Sequence, residues 1–128
     1  MLLPRVDLTD VATYLYAADC LVIPPTDEPL RRYGRTVLPM KIFSYMAAGR
    51  PILAPALPDI REVLTDDVNA VLVAPGDVHG AARSVRALLE NRPRADALGL
   101  SARASARDYT WEARATRITS WLANEILR

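Results

Sequence analysis

Lys41 is the only lysine in a chain of 128 residues, and it stands in an unusually one-sided stretch. Glu28 and Asp59 are consecutive acids in the sequence. Between them lie Arg31, Arg32, Arg35, Lys41 and Arg50 with no acid at all. Whatever anion-handling chemistry the chain has is concentrated here, because the whole molecule carries a net charge of only +1. A helix is expected to start at Pro39, a residue suited to a first helical position. First turns favour acids, since the helix N-terminus carries positive dipole charge. This one is approached by three arginines and contains Lys41. An anion held there, most naturally a phosphate or diphosphate, turns that misplaced charge into a binding site. The competing reading is that the arginines are solvated or pair with distant acids.

Other chemistry-bearing residues offer less. His79, the only histidine, falls just inside a helix start and reads as a solvated side chain. No strained serine elbow accompanies it, so a Ser-His-Asp nucleophile is excluded. Asp27-Glu28 and Asp66-Asp67 read as loop charges and Asp59 with Glu62 as a helix cap. Trp111 and Trp121 read as packing residues, and Met40 and Met46 as ordinary fillers. Cys20 is the only cysteine, which excludes an internal disulfide framework and a cysteine-rich metal site. It reads as a buried free thiol, in keeping with a reducing compartment. No glycine-rich fingerprint for a dinucleotide or a P-loop is present. The near-neutral charge gives no global field for nucleic acid, and no nucleic-acid partner is expected.

The elements that must position Lys41 follow from periodicity. Val11, Tyr14, Leu15 and Ala18 share one face of a helix over 9–18, with Thr9 as N-cap. Residues 20–24 form a continuous apolar run ended by two prolines, a buried strand. Residues 25–37 are rich in Pro, Arg and Gly and read as a loop. The helix from Pro39 places Ile42, Phe43 and Met46 on one face and stops at Gly49. A second strand covers 51–54. Asp59 to Glu62 has capping-box spacing for a short helix to about Leu64, and 66–69 make a turn. A third strand covers 70–73. Asp77 caps a helix with Val78, Ala81, Ala82, Val85, Leu88 and Leu89 on its face. Pro93 starts another, carrying Leu98, Ala102, Ala106 and Tyr109. Thr110 caps the last, with Trp111, Ala115, Ile118, Leu122 and Ile126 in line.

Apolar strands alternating with amphipathic helices predict an α/β fold. About three parallel strands, joined by right-handed crossovers, form a sheet flanked by helices, with a helical C-terminal tail. At 51% hydrophobic and 24% charged residues, one such domain can bury a core and is not disordered. Doubly wound domains usually have five or six strands, so residues 1–128 read as a single, truncated domain. Met1-Leu2-Leu3-Pro4 is too short for a signal-peptide core, and no apolar run reaches the ~20 residues of a transmembrane helix.

The stretch from Tyr33 to Ala54, YGRTVLPMKIFSYMAAGRPILA, resembles the donor-binding segment of retaining GT-B glycosyltransferases of family GT4 (glycosyl transferases group 1). Supporting blocks stand in the same order. Ala17 to Pro24 resembles the helix-to-strand junction before that segment. Asp59 to Val63 and Asn69 to Asp77 resemble the two segments after it, and Tyr109 to Glu112 the start of the C-terminal helices. The match covers most of residues 7–122. It implies a partial Rossmann-like sheet, the later part of a C-terminal lobe that binds a nucleotide-diphosphate sugar. An acceptor lobe would then be supplied in cis or by a partner chain, with no metal and no separate cofactor.

By the resemblance, Lys41 and Arg35 face the donor diphosphate, together with the backbone around Gly34 and Thr36. Ser44 stands where the family has a ribose-binding glutamate. The family's earlier glutamate has no clear match in Arg35-Thr36-Val37, and Ala54 to Leu57 replaces the usual glycine after the second strand. The expected activity is transfer of a hexose-like sugar to a hydroxyl acceptor by a complete cytoplasmic protein, with room for peripheral membrane attachment. This chain alone is expected to be inactive. The alternatives are a non-catalytic α/β module that binds an anion or a protein, and a decayed remnant of such an enzyme.

Overall fold

The computed structural model describes residues 5–126. Met1–Pro4, read above as too short for a signal-peptide core, lie outside the described residues. The elements run α1 (Leu8–Ala17), β1 (Leu21–Val22), α2 (Glu28–Tyr33), α3 (Lys41–Ala48), β2 (Ile52–Pro55), α4 (Pro58–Arg61), β3 (Val71–Val73), α5 (Val78–Glu90), α6 (Arg92–Ala106), a 3-10 turn at Arg107–Tyr109, and α7 (Trp111–Ile126). The described strands form one parallel sheet in the order β1-β2-β3. Leu21 pairs with Ile52, and Leu53 with Val71. The α/β architecture with three parallel strands therefore stands as expected.

Side chains alternate across β2 with the period of two that a strand imposes. Ile52 and Ala54 join Ile42, Met46, Leu57, Ile60 and Leu64 on one face. Leu53 joins Val71, Val73, Leu88 and Leu98 on the other. All four residues of β2 are buried, which is why the strand reads as an unbroken apolar run. Each fully buried Leu or Ile contributes about 1.5–3 kcal/mol, so β2 and its neighbours are the stable centre of the fold. β1 is shorter than the expected 20–24. Ile23 still donates to the Leu53 carbonyl at 2.8 Å, but Pro24 and Pro25 have no N–H to continue the ladder.

Several local expectations change. α1 starts one residue early, with Asp7 rather than Thr9 at the N-cap. The region 25–37 is not all loop, because α2 forms within it and ends at Gly34. Pro39 lies outside α3, which begins at Lys41 with Met40 at the N-cap; Pro39 instead accepts from the Ile42 N–H at 3.0 Å. Asp59 is not a cap. Leu57 holds that position in α4 without a side-chain bond, and the helix ends at Arg61, short of Leu64. On α5, Ala81 and Leu88 are buried but Val78 is 67% exposed, since the sheet covers only part of the helix. The caps at Asp77 and Thr110 form as read, accepting from the N–H groups of Gly80 at 2.7 Å and Ala113 at 3.1 Å. Trp111 and Trp121 are not packing residues: both side chains are exposed.

Besides the core packing of Ile42 and Met46, two contacts fix the ends of α3. Gly49 ends it in the left-handed region at φ 67°, a conformation glycine adopts without penalty. Gly99 of α6 then lies against that end. A Cβ on Gly99 would sit 2.3 Å from the Gly49 carbonyl oxygen, so only a glycine permits this approach. Near the other end, the Phe43 and Tyr109 rings lie 5.4 Å apart, which ties α3 to the turn after α6. Cys20 is half-buried, and burial first, then the neighbouring Asp19 carboxylate, raises its thiol pKa above the ordinary value. That suppresses the reactive thiolate.

Candidate functional site

The carboxyl ends of β1 and β2 open into a cleft of about 500 Å³. Its floor is the chain leaving the two strands: Ile23 and Pro24 after β1, then Pro55 and Leu57 at the end of β2. The segment between α2 and α3 supplies a wall through Arg35, Thr36 and Pro39, and Lys41 enters from the first residue of α3. In open α/β sheets this is the position where ligands bind, and a helix N-terminus meets them there.

Structure sorts the cationic block sharply. Arg31 pairs with Asp27 at 3.2 Å. The Arg32 guanidinium lies 5.4 Å from the centre of the Tyr33 ring. Arg50, at the opposite end of α3, donates to the Tyr16 carbonyl. Of the five cations only Arg35 and Lys41 line the cleft, and among the described residues neither takes part in an ion pair. The first turn of α3 contains no acid and its N-cap makes no side-chain bond. Two free positive side chains and a helix N-terminus of the same sign therefore converge on one opening. That arrangement attracts an anion and, in the absence of one, is mutually repulsive.

Thr36, half-buried, joins Arg35 and Lys41 in the cleft and donates its hydroxyl to Oδ1 of Asp59 in α4. Gly34 does not line it. Gly34 caps α2 at φ 66° and its N–H is engaged by the Leu30 carbonyl at 2.9 Å. Ser44 does not line it either; its side chain borders a separate groove of about 280 Å³ between α3 and α1, with Val11, Leu15 and Tyr16. The structure thus brings together Arg35, Thr36 and Lys41 and leaves Gly34 and Ser44 aside. Asp59, whose spacing suggests a cap, stands in the cleft wall. The available signal was that it is the first acid after the cationic block. His79 is exposed at the start of α5, away from this cleft.

No helix among the described residues is long and apolar enough to cross a membrane. Comparison with known proteins agrees with the architecture. A sucrose-phosphate synthase from Thermosynechococcus elongatus superposes with a TM-score of 0.79 at 21% identity, covering 98% of this chain and 30% of that one. Anabaena HepE in complex with UDP-glucose gives a TM-score of 0.69 at 19% identity, over 90% of this chain and 30% of that one. At such identities the likeness is one of fold.

In sequence, the chain is 32% identical over 109 residues to a D-inositol 3-phosphate glycosyltransferase of Xylanimonas cellulosilytica, covering 85% of this chain and 24% of that protein. It is 30% identical over 113 residues to the sulfoquinovosyl transferase SQD2 of Arabidopsis thaliana, covering 85% of this chain and 21% of that one. The chain therefore spans about a quarter of the length of these curated relatives. The model of the family described as glycosyl transferases group 1 matches residues 1–91, well over half of the sequence, and the chain belongs to that family.

Proposed function

We propose that this chain is the donor-binding portion of a glycosyltransferase that moves a hexose-like sugar from a nucleotide-diphosphate donor to a hydroxyl acceptor. The observation that carries the reading is the pair of unpaired cations, Arg35 and Lys41, at the acid-free N-terminus of α3 in the cleft. The complex of HepE with UDP-glucose supports it by likeness of fold, and the glycosyltransferases among the relatives support it by sequence. Lys41 and Arg35 would offset the diphosphate charge, and above all the charge that grows on the leaving group in the transition state. Backbone N–H groups at the start of α3 would add to that stabilisation. Metal-free transfer follows from this assignment, because the two side chains take the part of a cation.

Ser44 keeps a proposed ribose contact, made from the α1–α3 groove rather than from the main cleft. A nucleoside there would have to lie across the first turn of α3. Transfer also needs an acceptor held in reacting geometry, and the relatives' additional length has room for a lobe that does so. Without it the chain should bind donor and transfer nothing. Its one free thiol accords with a cytoplasmic setting.

Calorimetric titration of the chain with UDP-glucose, GDP-mannose and UDP tests the reading. At least one nucleotide should bind, and Lys41→Ala should weaken it about tenfold, roughly 1.4 kcal/mol, as expected for a charge-assisted contact. Absence of binding by all three, or equal affinity in the alanine variant, would overturn it.

A further inference from the structure

The cleft is not uniformly positive. Asp59, in the first turn of α4, is the one acid among the residues that line it. Its Oδ1 accepts the Thr36 hydroxyl. Its Oδ2 is buried and has no hydrogen-bond partner among the described residues. Buried polar atoms are nearly always paired, so such an oxygen calls for a donor. Neither Arg35 nor Lys41 answers it, although both line the same cleft.

The chemistry of that donor is constrained. An ionised carboxylate only accepts hydrogen bonds. A phosphate offers it no proton and repels it, so phosphate belongs with the two cations. A neutral hydroxyl satisfies the oxygen without charge conflict. A ligand that suits the whole cleft is therefore anionic at one end and hydroxyl-bearing at the other, as a glycosyl diphosphate is.

Resting on the donor-binding reading above, we propose that Asp59 is a specificity-determining residue that accepts a hydroxyl of the donor's sugar, and that Thr36 is the positioning residue that holds its carboxylate. The final torsion of an aspartate is broad. For a hydroxyl to reach Oδ2 the carboxylate has to turn toward the cleft, and the Thr36 hydroxyl has to follow Oδ1 as it turns. The sugar is thereby fixed at one end by Asp59 and at the other by the diphosphate on Arg35 and Lys41, which orients its anomeric carbon.

The test compares UDP-glucose with UDP, by calorimetry, on the wild-type chain and on Asp59→Asn. Wild type should bind UDP-glucose more tightly than UDP. The substitution should lower that ratio about fivefold, since an ionic hydrogen bond is replaced by a neutral one. An unchanged ratio, including the case in which both affinities fall by the same factor, would make Thr36–Asp59 a structural clasp and overturn the proposal. Failure of the wild type to bind these two and GDP-mannose would instead overturn the donor-binding reading itself; if GDP-mannose alone binds, the same ratio is read on GDP-mannose against GDP. Should Asp59→Asn not fold, UDP-glucose analogues lacking one hydroxyl at a time decide on the wild type. One of them should bind about fivefold more weakly than UDP-glucose; equal binding by all would overturn the assignment.

Discussion

α6 has 15 residues and α7 has 16, and both repeat apolar side chains at helical spacing, yet α6 buries Ala95, Leu98, Gly99 and Ala102 whereas α7 buries none. The stronger apolar stripe belongs to the helix that is not covered: Ile118, Leu122 and Ile126 of α7 are exposed, as is Trp121. Three of the four buried residues of α6 are alanine or glycine. They allow its backbone to come close to α3, down to the Gly99–Gly49 approach. Spacing along a helix tells which face is apolar; the size of the residues tells how near another backbone can come. The difference matters for function, because α6 is what α3 rests on, and α3 carries Lys41 into the cleft.

The same substitution placed in the two helices exposes this contrast most strongly. Leu98 is 3% exposed and packs with Leu53, Val71 and Leu88. Leu98→Ala should destabilise the fold by about 3 kcal/mol through lost burial and the cavity left behind. A urea denaturation midpoint that barely moves would show that α6 is not part of the cooperative core. Gly99→Ala comes next. It forces a methyl group against a backbone carbonyl, which costs about 1–3 kcal/mol, and recovers up to about 1 kcal/mol of helix propensity. A net loss of about 1–2 kcal/mol is expected, together with weaker UDP-glucose binding, since the displaced atom belongs to the C-cap of α3. A gain in stability would mean that the two backbones are farther apart than the structure places them.

These contrasts show what could be read from residues alone. β2 was legible because burial on both faces leaves a continuous apolar run, β1 and β3 because their apolar runs survive with one face partly open, and α3 through its reversed charge and its terminal Gly49. The α2 turn was not, because Pro, Arg and Gly in 25–37 suggest a loop and only the left-handed Gly34 closes a helix there. The place of Asp59 is not legible because capping spacing is a local signal, while its partner Thr36 is 23 residues away. Three of the five proposed donor contacts meet in one cleft; Gly34 and Ser44 do not, since adjacency along a chain does not fix which side of a helix or turn faces the ligand. The exposure of α7 could not be read at all, because periodicity does not report what lies opposite a stripe.

The smallest expected effect is therefore on α7. Leu122 is 43% exposed, against 3% for Leu98. Truncating it leaves no cavity and returns little surface to water, so Leu122→Ala should change stability by less than about 0.5 kcal/mol, the range of surface substitutions. Ile118→Ser, at 48% exposure, should behave alike. The measurement is the urea midpoint at two protein concentrations tenfold apart. A loss near that of Leu98→Ala would break the contrast between the helices, and the concentration dependence would then say how. A midpoint that rises with concentration in the wild type but not in the variant would mean that the α7 stripe is covered by another copy of the chain, because association stabilises by mass action. A large loss independent of concentration would mean that α7 folds back on its own domain in solution. With neither, the stripe contributes nothing to the fold of this chain, and the support of α3 beside the cleft comes from α6 rather than from α7.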